Sequence, residues 1–423
     1  MNILHISSHY GGGVGTVVSA IINNDLENKH VLTHLNNVPM NKGLLFNESM
    51  VEENDIILCH VWNHPSMFEF LINTKLQPCR LVIWSHVSGR HAPDIYSAKL
   101  ISYPDCFVFT TPVSYECREI MELPFEVKSN LDVVWSTYDI KSYNVNPRVK
   151  HEGFNVGYIG TASYGKLHHK FIEMCAAVKA DVKFIIISND SQEHLKQRAK
   201  AIGVYDRFDF KGKMNGAVSI LPTIDIFGYP LQSAHFGSCE QVIGEAMSCG
   251  VVPVVLGNPT ERYIVRHMET GMVVDGIDEY SKAIDYLYSN TEEFTRMSNN
   301  AGKEAKIRYD IKHTVKRWNN IFNKMMQIEK RERIWGYKLA PHFLFATSLG
   351  VYGKSFFDYV YSDLTGDSCC KAEATQKIKN LYHSNPVFFS ESKGSIKQYF
   401  NYFPNDTYLR EWFDLEQKIE LGE

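Results

Sequence analysis

The segment at residues 233–255 contains the side chains whose types and spacing most clearly suggest chemistry. Glu245 lies there in an apolar stretch, where a carboxylate is costly unless a partner such as a ribose diol donates hydrogen bonds to it. The alternative is a solvated helix carboxylate. The pattern predicts a helix at 241–249, which ends at Gly250 before a Val-Val-Pro-Val-Val strand. Glu240 precedes this helix, where a carboxylate also complements the helix dipole.

A glycine-rich segment at residues 9–16 follows the first predicted strand and precedes a helix predicted at 17–22. Glycines such as Gly12 and Gly13 let the backbone turn tightly and bring N–H groups against an anion. The glycines do not fall in the G-x-G-x-x-G register, and no Gly-Lys-Ser/Thr ending follows. A simple tight turn and a phosphate or substrate contact therefore both remain open.

Histidines follow two of the predicted strands. His86 comes after the strand at 80–84, and His60 and His64 come after the strand before it. Ligands of parallel sheets bind outside the carboxyl ends of the strands, so each histidine is a candidate for a binding cleft. A histidine in such a position is nevertheless more often a packing residue.

The elements that position these residues follow one repeated pattern. Strand-like runs alternate with helix or turn signals, and the alternation restarts after a polar segment at 144–155. Such alternation predicts parallel sheets, and 423 residues are about three times the ~150 expected of one domain. The fold class is therefore α/β with two doubly wound domains. The predicted strands are 3–7, 55–60, 80–84, 106–110, 132–135, 156–159, 183–188, 208–211, 224–229 and 251–255, and further helices are predicted at 166–178 and 192–202.

Composition excludes several other classes of protein. Hydrophobic residues make up 44% and charged residues 22%, which is typical of a globular chain. The formal charge of -4 predicts no nucleic-acid partner, and no run approaches the ~18–20 apolar residues of a membrane span. The N-terminus lacks the features of a secretory signal. Nine cysteines without a C-x-x-C pair indicate reduced thiols and a cytoplasmic protein.

Four motifs occur in a fixed order between residues 155 and 325. They are Val156-Gly-Tyr-Ile-Gly160 leading to Lys166, Tyr205-Asp-Arg207-Phe-Asp-Phe-Lys-Gly212, Glu245-Ala-Met-x-x-Gly250-x-x-Pro-Val-Val, and Glu269-Thr-Gly-Met-Val-Val274. This order and spacing resemble the donor domain of GT-B glycosyltransferases of the retaining family 4 (GT4) type. The resemblance implies two Rossmann-like domains that face each other across a cleft, with a C-terminal helical extension. It also implies transfer of a sugar from a nucleoside-diphosphate donor with retained configuration.

The resemblance assigns a diphosphate-binding role to Lys166. The family's Gly-Arg-x-x-x-x-Lys segment aligns with Gly160 to Lys166, so the lysine is kept and Thr161 stands where the family has arginine. The missing cation would come from a neighbouring residue, His168, His169 or Lys170. No Asp-x-Asp motif occurs, so the metal clamp of GT-A enzymes is absent and no metal cofactor is expected.

The family's E-x7-E pair places its second glutamate on Glu245, which would bind the donor ribose. The first position falls on Gly237, so Glu240 or His235 would contact the donor-sugar hydroxyls instead. His86 resembles the family's strand-terminal histidine beside the donor sugar. The candidate catalytic residues are therefore His86, Lys166 and Glu240, and the candidate donor-binding residues are Gly12, Gly13, Thr161, Lys166, His235, Phe236, Gly237, Ser238, Cys239 and Glu245.

The resemblance divides the chain into an acceptor-side domain at 1–150, a donor domain at 151–330 and an extension at 331–423. The extension is aromatic, irregular by its local pattern, and of unknown role. The stretch 303–338 carries eleven basic and four acidic residues among apolar ones, the pattern of an interfacial helix on an anionic membrane. Alternatively, its apolar face packs on the protein.

The predicted function is a retaining hexosyltransferase that acts on a glycan or lipid-linked glycan acceptor, with O-antigen, capsule or lipopolysaccharide synthesis as the preferred pathway. The expected location is the cytoplasm, with peripheral contact to the inner face of the cytoplasmic membrane. Two alternatives remain, a sugar-nucleotide epimerase of GT-B shape and a non-catalytic glycan- or nucleotide-binding module.

Overall fold

The computed structural model describes residues 1–8, 12–35, 49–137, 149–214, 216–384 and 394–420. The chain forms two compact units, which we call the first unit and the second unit. The first unit comprises Met1–Val134, Phe236–Ser238 and Val315–Glu423, and the second comprises Trp135–His235 and Cys239–Thr314. The C-terminal residues are thus part of the first unit.

The first unit contains a six-stranded parallel sheet. The predicted strands of this half are confirmed to within about two residues, and their apolar side chains are buried on both faces, as expected for parallel strands. Prediction missed the edge strand Lys29–His34, because Lys-His-Val-Leu-Thr-His mixes polar and apolar residues. In spatial order the strands are Lys29–His34, Asn2–Ser7, Ile56–Val61, Leu81–Ser85, Cys106–Phe109 and Leu131–Val133.

The helix after the first strand begins earlier than predicted. It spans Gly12–Asn24, so Gly12 and Gly13 lie in its first turn rather than in a preceding loop. Gly12 has φ +68°, a conformation that favours glycine, and this allows the helix to begin there. His9, Tyr10 and Gly11 lie outside the described residues. The other helices of this half are Ser49–Glu52, Pro65–Asn73, Ala98–Ser102, Arg118–Met121 and Phe125–Lys128, with a 3₁₀ turn at Pro112–Glu116.

The second unit contains another six-stranded parallel sheet, which confirms the second Rossmann-like domain. Its spatial order is Phe208–Gly212, Lys183–Ile187, Asn155–Ile159, Ile226–Tyr229, Val252–Leu256 and Met272–Val274. Its helices are Phe171–Ala176, Glu193–Ala201, Gln241–Ser248, Pro259–Ile264, Ile277–Ser289 and Thr291–Arg308, with 3₁₀ turns at Tyr205–Arg207 and Ala217–Thr223.

The helix predicted at 166–178 is wrong at its start, because the observed helix is Phe171–Ala176. Leu167 instead forms an isolated β-bridge with Leu231, and this contact keeps the preceding residues out of the helix. Lys166 therefore lies in a loop that is tied to the segment after the strand Ile226–Tyr229.

The C-terminal part of the first unit is helical, so the prediction of irregular structure there is wrong and the implied helical extension is confirmed. Aromatic side chains form its core, with ring centroids 4.8 Å apart for Phe356 and Trp412 and 5.1 Å for Phe345 and Tyr399. The spacing of these aromatic residues depends on how their rings pack as well as on the helical repeat. The helices are therefore hard to recognise from the sequence pattern. The helices are Pro341–Ser348, Lys354–Thr365, Ser368–Ser384, Ile396–Tyr402 and Thr407–Glu420, with a 3₁₀ turn at Gly350–Gly353.

Two small antiparallel ribbons complete the fold. Arg331–Arg333 pairs with Leu76–Cys79, and Arg90–His91 pairs with Asp94–Ile95. Arg333 is buried and donates to the buried carboxylate of Asp105, which anchors the chain that leads into the C-terminal helices.

The helix Ile311–Met325 buries its apolar side chains. Trp318, Ile321, Phe322 and Met325 are each at most 3% exposed, so the apolar face of the basic stretch packs on the protein, as the alternative interpretation expects. Within the described residues, no helix combines the length and the apolar character that crossing a membrane requires.

Candidate active site

Lys166 and Glu240 form an ion pair at the carboxyl edge of the second sheet. Lys166 Nζ lies 2.8 Å from Glu240 Oε2, and the side chains are only 13% and 5% exposed. The backbone N–H of Lys166 donates to the Ser163 carbonyl, and the N–H of Gln232 donates to the Lys166 carbonyl. The loop that carries the ammonium is thus fixed on both sides.

Two tyrosines support this ion pair from the sheet. Tyr229 donates its hydroxyl proton to Glu240 Oε2 at 2.8 Å, and its ring stacks on that of Tyr158. Burial raises the pKa of Glu240, but Lys166, His235 and the hydrogen bonds outweigh it, so the pKa lies below its ordinary value. Glu240 is therefore ionised at neutral pH.

His235 lies between two carboxylates. Its Nε2 is 3.2 Å from Glu261 Oε1, and its Nδ1 is 4.0 Å from Glu240 Oε1. Burial lowers the pKa of His235, but the attraction and hydrogen bond of Glu261, with the charge of Glu240, raise it above its ordinary value. The imidazole is thus disposed to carry a positive charge next to Lys166.

His235, Glu240 and Glu261 are also the kind of residues that hold a metal ion, with ligand atoms within 4.8 Å of one another. Two cationic groups already contact these carboxylates, the Lys166 ammonium and the His235 imidazole. A divalent cation would have to displace the Lys166 ammonium and the extra proton of the His235 imidazole. The expectation that no metal takes part stays a prediction.

The buried carboxylate of Glu245 has no hydrogen-bonding partner among the residues that the structure describes. It lies on the helix Gln241–Ser248, is 9% exposed, and burial raises its pKa to about 7. A carboxylate in this setting is stabilised by any ligand that donates hydrogen bonds to it. A vicinal diol has this chemistry.

The segment of Thr161 carries no second cation of its own. The Tyr158 hydroxyl donates to the Thr161 carbonyl, and Asp190 Oδ2 accepts from the N–H of Ala162, so the turn is held by polar contacts. Burial, with the charges of its neighbours, lowers the pKa of His168 to about 4, and its Nδ1 accepts from the Lys170 N–H. His168 is therefore neutral at pH 7 and does not replace the missing arginine.

The loop before the helix Gln241–Ser248 is divided between the units. Phe236, Gly237 and Ser238 belong to the first unit, where Thr110 donates to Ser238 Oγ at 2.6 Å. Cys239 belongs to the second unit, and its Sγ lies 3.8 Å from the Ser136 carbonyl. The predicted contact of these amides with a diphosphate stays a prediction.

The remaining candidates lie in the first unit. Gly12 and Gly13 are exposed in the first helical turn, and His86 follows the strand Leu81–Ser85 with 9% of its surface exposed. His86 Nε2 lies 3.1 Å from Nδ1 of His60. His64, by contrast, is an N-cap, because its Nδ1 accepts from the Ser66 N–H.

Sequence reasoning brought Lys166, Glu240 and His235 into one predicted site, and the structure places these three side chains together. The sequence reasoning missed Tyr229 and Glu261, which contact these side chains. Tyr229 ends a predicted strand at the carboxyl edge of the sheet, which is a usable signal. Glu261 has no comparable signal, because its position depends on how the helix Pro259–Ile264 packs.

Each unit is a Rossmann-like parallel sheet covered by helices, and solved structures identify the pair as a GT-B fold. One is the Anabaena protein Alr3699/HepE in complex with UDP, with 16% identity, a TM-score of 0.59, and coverage of 77% of this chain and all of that one. Another is the lipopolysaccharide outer core galactosyltransferase WaaB, with 17% identity, a TM-score of 0.55 and coverage of 77% and 100%.

The sequence of the second unit is similar to that of known glycosyltransferases. Residues 140–304 match the family model described as Glycosyl transferases group 1. An uncharacterized glycosyltransferase of Haemophilus influenzae is 28% identical over 141 residues. That alignment spans 32% of this chain and 38% of the relative, so the chain matches well under half of the relative's length.

Proposed function

We propose that this protein is a retaining glycosyltransferase of the GT4 type, which transfers a hexose from a nucleoside-diphosphate sugar to a glycan or lipid-linked glycan. The observation that carries the proposal is that Glu240 and Glu245, which lie close together in the sequence, form two different kinds of site. Lys166 and Glu240 form a buried ion pair, and Glu245 on the next helix is a buried carboxylate with a raised pKa. The ion pair suits a diphosphate and a sugar, and the carboxylate of Glu245 suits a ribose.

In this proposal the Lys166 ammonium stabilises the negative charge that develops on the leaving diphosphate. A point charge in a water-poor site is effective because little solvent screens it. Loop amides from Phe236 to Cys239, next to the N-terminus of the helix Gln241–Ser248, supply further donors. Gly12 and Gly13 at the first turn of their helix are the corresponding candidates in the first unit.

Glu240 would accept hydrogen bonds from donor-sugar hydroxyls when the donor's phosphates compete for Lys166. His235 lies beside Glu240 and limits the cost of separating the pair, because it supplies a second positive charge. We assign no protein nucleophile. The leaving phosphate oxygen would receive the acceptor's hydroxyl proton on the same face, which retains the anomeric configuration.

The matched structures support a choice of donor and pathway to test first. HepE was crystallised with UDP and with UDP-glucose, so UDP-sugars are the first candidate donors. WaaB is a lipopolysaccharide galactosyltransferase, which favours a role in O-antigen, capsule or lipopolysaccharide synthesis. We place the reaction in the cytoplasm, with contact to the anionic inner face of the membrane through the basic stretch 303–338.

The experiment is a thermal-shift screen of nucleotide sugars, followed by turnover of the best ligand with and without acceptor glycans. A ligand at 100 times its Kd raises stability by about 2.7 kcal/mol. Glu245→Gln is the matched control, because it keeps the size of the side chain and removes its charge. Transfer with retained configuration, judged by NMR of the product, supports the proposal. Epimerised donor without acceptor, or binding without any turnover, would refute it.

A further inference from the structure

Four histidines of the first unit form one continuous hydrogen-bonded chain. His30 Nε2 lies 3.0 Å from Asp25 Oδ2, and His30 Nδ1 lies 2.8 Å from His5 Nε2. His5 Nδ1 lies 3.0 Å from His60 Nε2, and His60 Nδ1 lies 3.1 Å from His86 Nε2. We call this series the histidine relay. It connects the carboxylate of Asp25 with His86 through three intervening imidazoles.

The register of the sheet places the four rings on one face. Residues paired across a parallel ladder share a face, as do residues two apart along a strand. The pairs that show it are Ile3 with His30, His5 with Leu58, and His60 with Trp84. Each histidine is therefore displaced two residues toward the carboxyl end relative to the previous one. The relay crosses the sheet diagonally and reaches its carboxyl edge at His86, where ligands of such sheets bind.

The relay is buried along its length. His5 and His60 are 0% exposed, and the side chains of His30 and Asp25 are 2% and 0% exposed. Burial, together with the adjacent imidazoles, lowers the pKa of His5 and of His60 well below the ordinary value. Burial also lowers the pKa of His30, although Asp25 opposes it. The imidazoles of His5, His60 and His30 are therefore neutral at pH 7.

Asp25 is ionised at the far end of the relay. Burial raises its pKa, but hydrogen bonds from Asn28, from the Glu27 amide and from His30 lower it below the ordinary value. Within the part of the chain that the structure describes, His34 faces His60 and the N-terminal amine faces His30, and neither is an acid. Asp25 is the carboxylate that accepts from the relay, at His30.

An ionised carboxylate at one end determines the direction of every bond. A carboxylate only accepts hydrogen bonds, and a neutral imidazole carries one proton. His30 must therefore carry its proton on Nε2, which leaves its Nδ1 to accept from Nε2 of His5. The same step repeats at His5 and His60. His86 consequently carries a proton on Nε2, and in its neutral form its Nδ1 is the accepting nitrogen.

We propose that Asp25, His30, His5 and His60 are positioning residues that hold His86 in the Nε2-protonated tautomer, with Nδ1 as its hydrogen-bond acceptor at the carboxyl edge of the sheet. A role of this acceptor in sugar transfer rests on the proposed function, but the tautomer does not. Apolar side chains could fill the space that these buried polar rings occupy, so packing alone does not explain the relay. A fixed hydrogen-bond acceptor at the edge of the sheet where ligands bind does explain it.

The direct test is ¹⁵N NMR of protein labelled at the histidine ring nitrogens, near pH 7.5. The signals of His86 are identified by their loss in His86→Gln. We expect a protonated Nε2 and an unprotonated Nδ1 on this ring. Protonation on Nδ1, or a mixture of the two tautomers in the wild-type protein, would overturn the proposal.

A matched pair of variants tests whether the state of His86 depends on the distant residues. In His30→Gln the side-chain amide can donate to Asp25 and accept from His5, so the direction of the relay is kept. In His30→Leu both functions are lost. We expect the wild-type tautomer in His30→Gln and a several-fold larger Nδ1-protonated fraction in His30→Leu. Identical His86 signals in the two variants would show that no relay operates.

Asp25→Asn is the second variant, for the case that His30→Leu does not fold. An amide can accept or donate, so the direction of the relay is no longer imposed, and the same mixture of tautomers is expected. A wild-type His86 spectrum in Asp25→Asn would overturn the proposal. In transfer assays, kcat/KM and its pH profile should change in His30→Leu and recover in His30→Gln. Absence of transfer by the wild-type protein would refute the proposed function, while the tautomer is decided by NMR alone.

Discussion

The ammonium of Lys166 and the carboxylate of Glu240 lie 2.8 Å apart in a site that is nearly closed to solvent. The two charges neutralise each other in the absence of a donor. Under the proposed function, a diphosphate would have to compete with this carboxylate for the cation, so that donor binding frees Glu240 to accept from the sugar. Tyr229 and His235 also contact Glu240 and hold its carboxylate in position.

The first prediction is that Lys166→Met abolishes donor turnover. It also leaves a buried carboxylate without its main partner, which costs about 3 kcal/mol of unfolding free energy. Lys166→Met combined with Glu240→Gln should recover most of that stability in urea unfolding, yet remain inactive. Lys179→Met removes an exposed lysine of the same unit and is the control, with turnover unchanged. Near wild-type turnover in Lys166→Met would show that the ammonium does not act on the diphosphate.

This ion pair also shows how far the sequence alone leads. The resemblance to GT-B glycosyltransferases predicted that Lys166 and Glu240 both serve the donor. It did not predict that they bind each other, or that His235 also contacts Glu261, since those contacts depend on side-chain packing between segments far apart in sequence. The helix expected around Lys166 failed because a tertiary bridge between Leu167 and Leu231 overrides local propensity.

The histidine relay illustrates the same limit in the first unit. His60 and His86 were visible as histidines near strand ends, whereas His5 and His30 were not singled out. Their significance depends on strand register, because a shift of one residue would turn each ring to the opposite face. The edge strand that carries His30 was itself missed. The sequence pattern thus located the end of the relay at His60 and His86. Only the register of the parallel strands showed that this end is connected to Asp25.

A second prediction concerns Glu245. Glu245→Ala should weaken nucleotide binding by roughly 1.5–3 kcal/mol, the range for hydrogen bonds to charged groups. Because the ligand-free pKa is about 7, affinity for the nucleoside should rise as the pH increases from about 6 to 8 and the carboxylate ionises. Isothermal titration with a nucleoside that lacks phosphates avoids titration of the ligand. Glu245→Gln should remove the pH dependence, and equal affinity of all three proteins would exclude ribose binding here.

The same carboxylate should make the ligand-free protein less stable at high pH. The pKa of Glu245 is raised from 4.5 to about 7 on folding, so stability falls as pH rises through this window, because the unfolded chain ionises first. Glu245→Gln should therefore be more stable than wild type by roughly 3 kcal/mol near pH 8 and nearly equal near pH 4.5. Urea unfolding at both pH values checks this. A constant difference would mean that Glu245 is solvated.

The histidine relay predicts that the protein loses stability at acid pH, which is the opposite of the effect of Glu245. The ordinary histidine pKa is 6.5, and those of His5 and His60 are well below it in the fold. Below pH ~6.5 the unfolded chain takes up protons that the native rings do not, so each ring lowers the unfolding free energy by about 1.4 kcal/mol per pH unit. Glu245 and Glu416 act against this trend, because burial raises both of their pKa values. The unfolding free energy should therefore be measured as a function of pH in the double variant Glu245→Gln, Glu416→Gln. If it did not fall below pH ~6.5 in that variant, the rings would not be neutral in the native protein.

Metal independence is a further prediction. Lys166 and His235 supply positive charge beside Glu240, and no Asp-x-Asp occurs in the sequence. Turnover should survive excess EDTA at full rate. Complete loss on chelation that Mg²⁺ or Mn²⁺ restores would assign the group of His235, Glu240 and Glu261 to a metal ion. Glu261→Gln would then lower metal affinity, whereas a metal-free mechanism predicts a change in stability alone.

The last prediction is that the basic stretch 303–338 binds anionic membranes through charge alone. The large apolar side chains of its helix, Trp318, Phe322 and Met325, are buried by the fold. Two of its arginines pair with acids, Arg317 with Asp132 and Arg331 with Asp105. The exposed lysines are what remains for lipid, at ~1 kcal/mol each near the surface. Lys324 and Lys338 are among them, and the four that are changed below are Lys303, Lys306, Lys312 and Lys316.

Co-sedimentation with vesicles should therefore rise with anionic lipid content and disappear with added salt, which shortens the Debye length from ~8 Å at physiological ionic strength. Changing the four exposed lysines to glutamate should abolish binding. The matched control makes the same charge change elsewhere on the surface, at Lys150, Lys196, Lys200 and Lys213, and should retain most of the binding. Equal loss in both variants would reduce the effect to net charge. Salt-resistant binding would instead require an apolar contact, which the burial of Trp318, Phe322 and Met325 argues against.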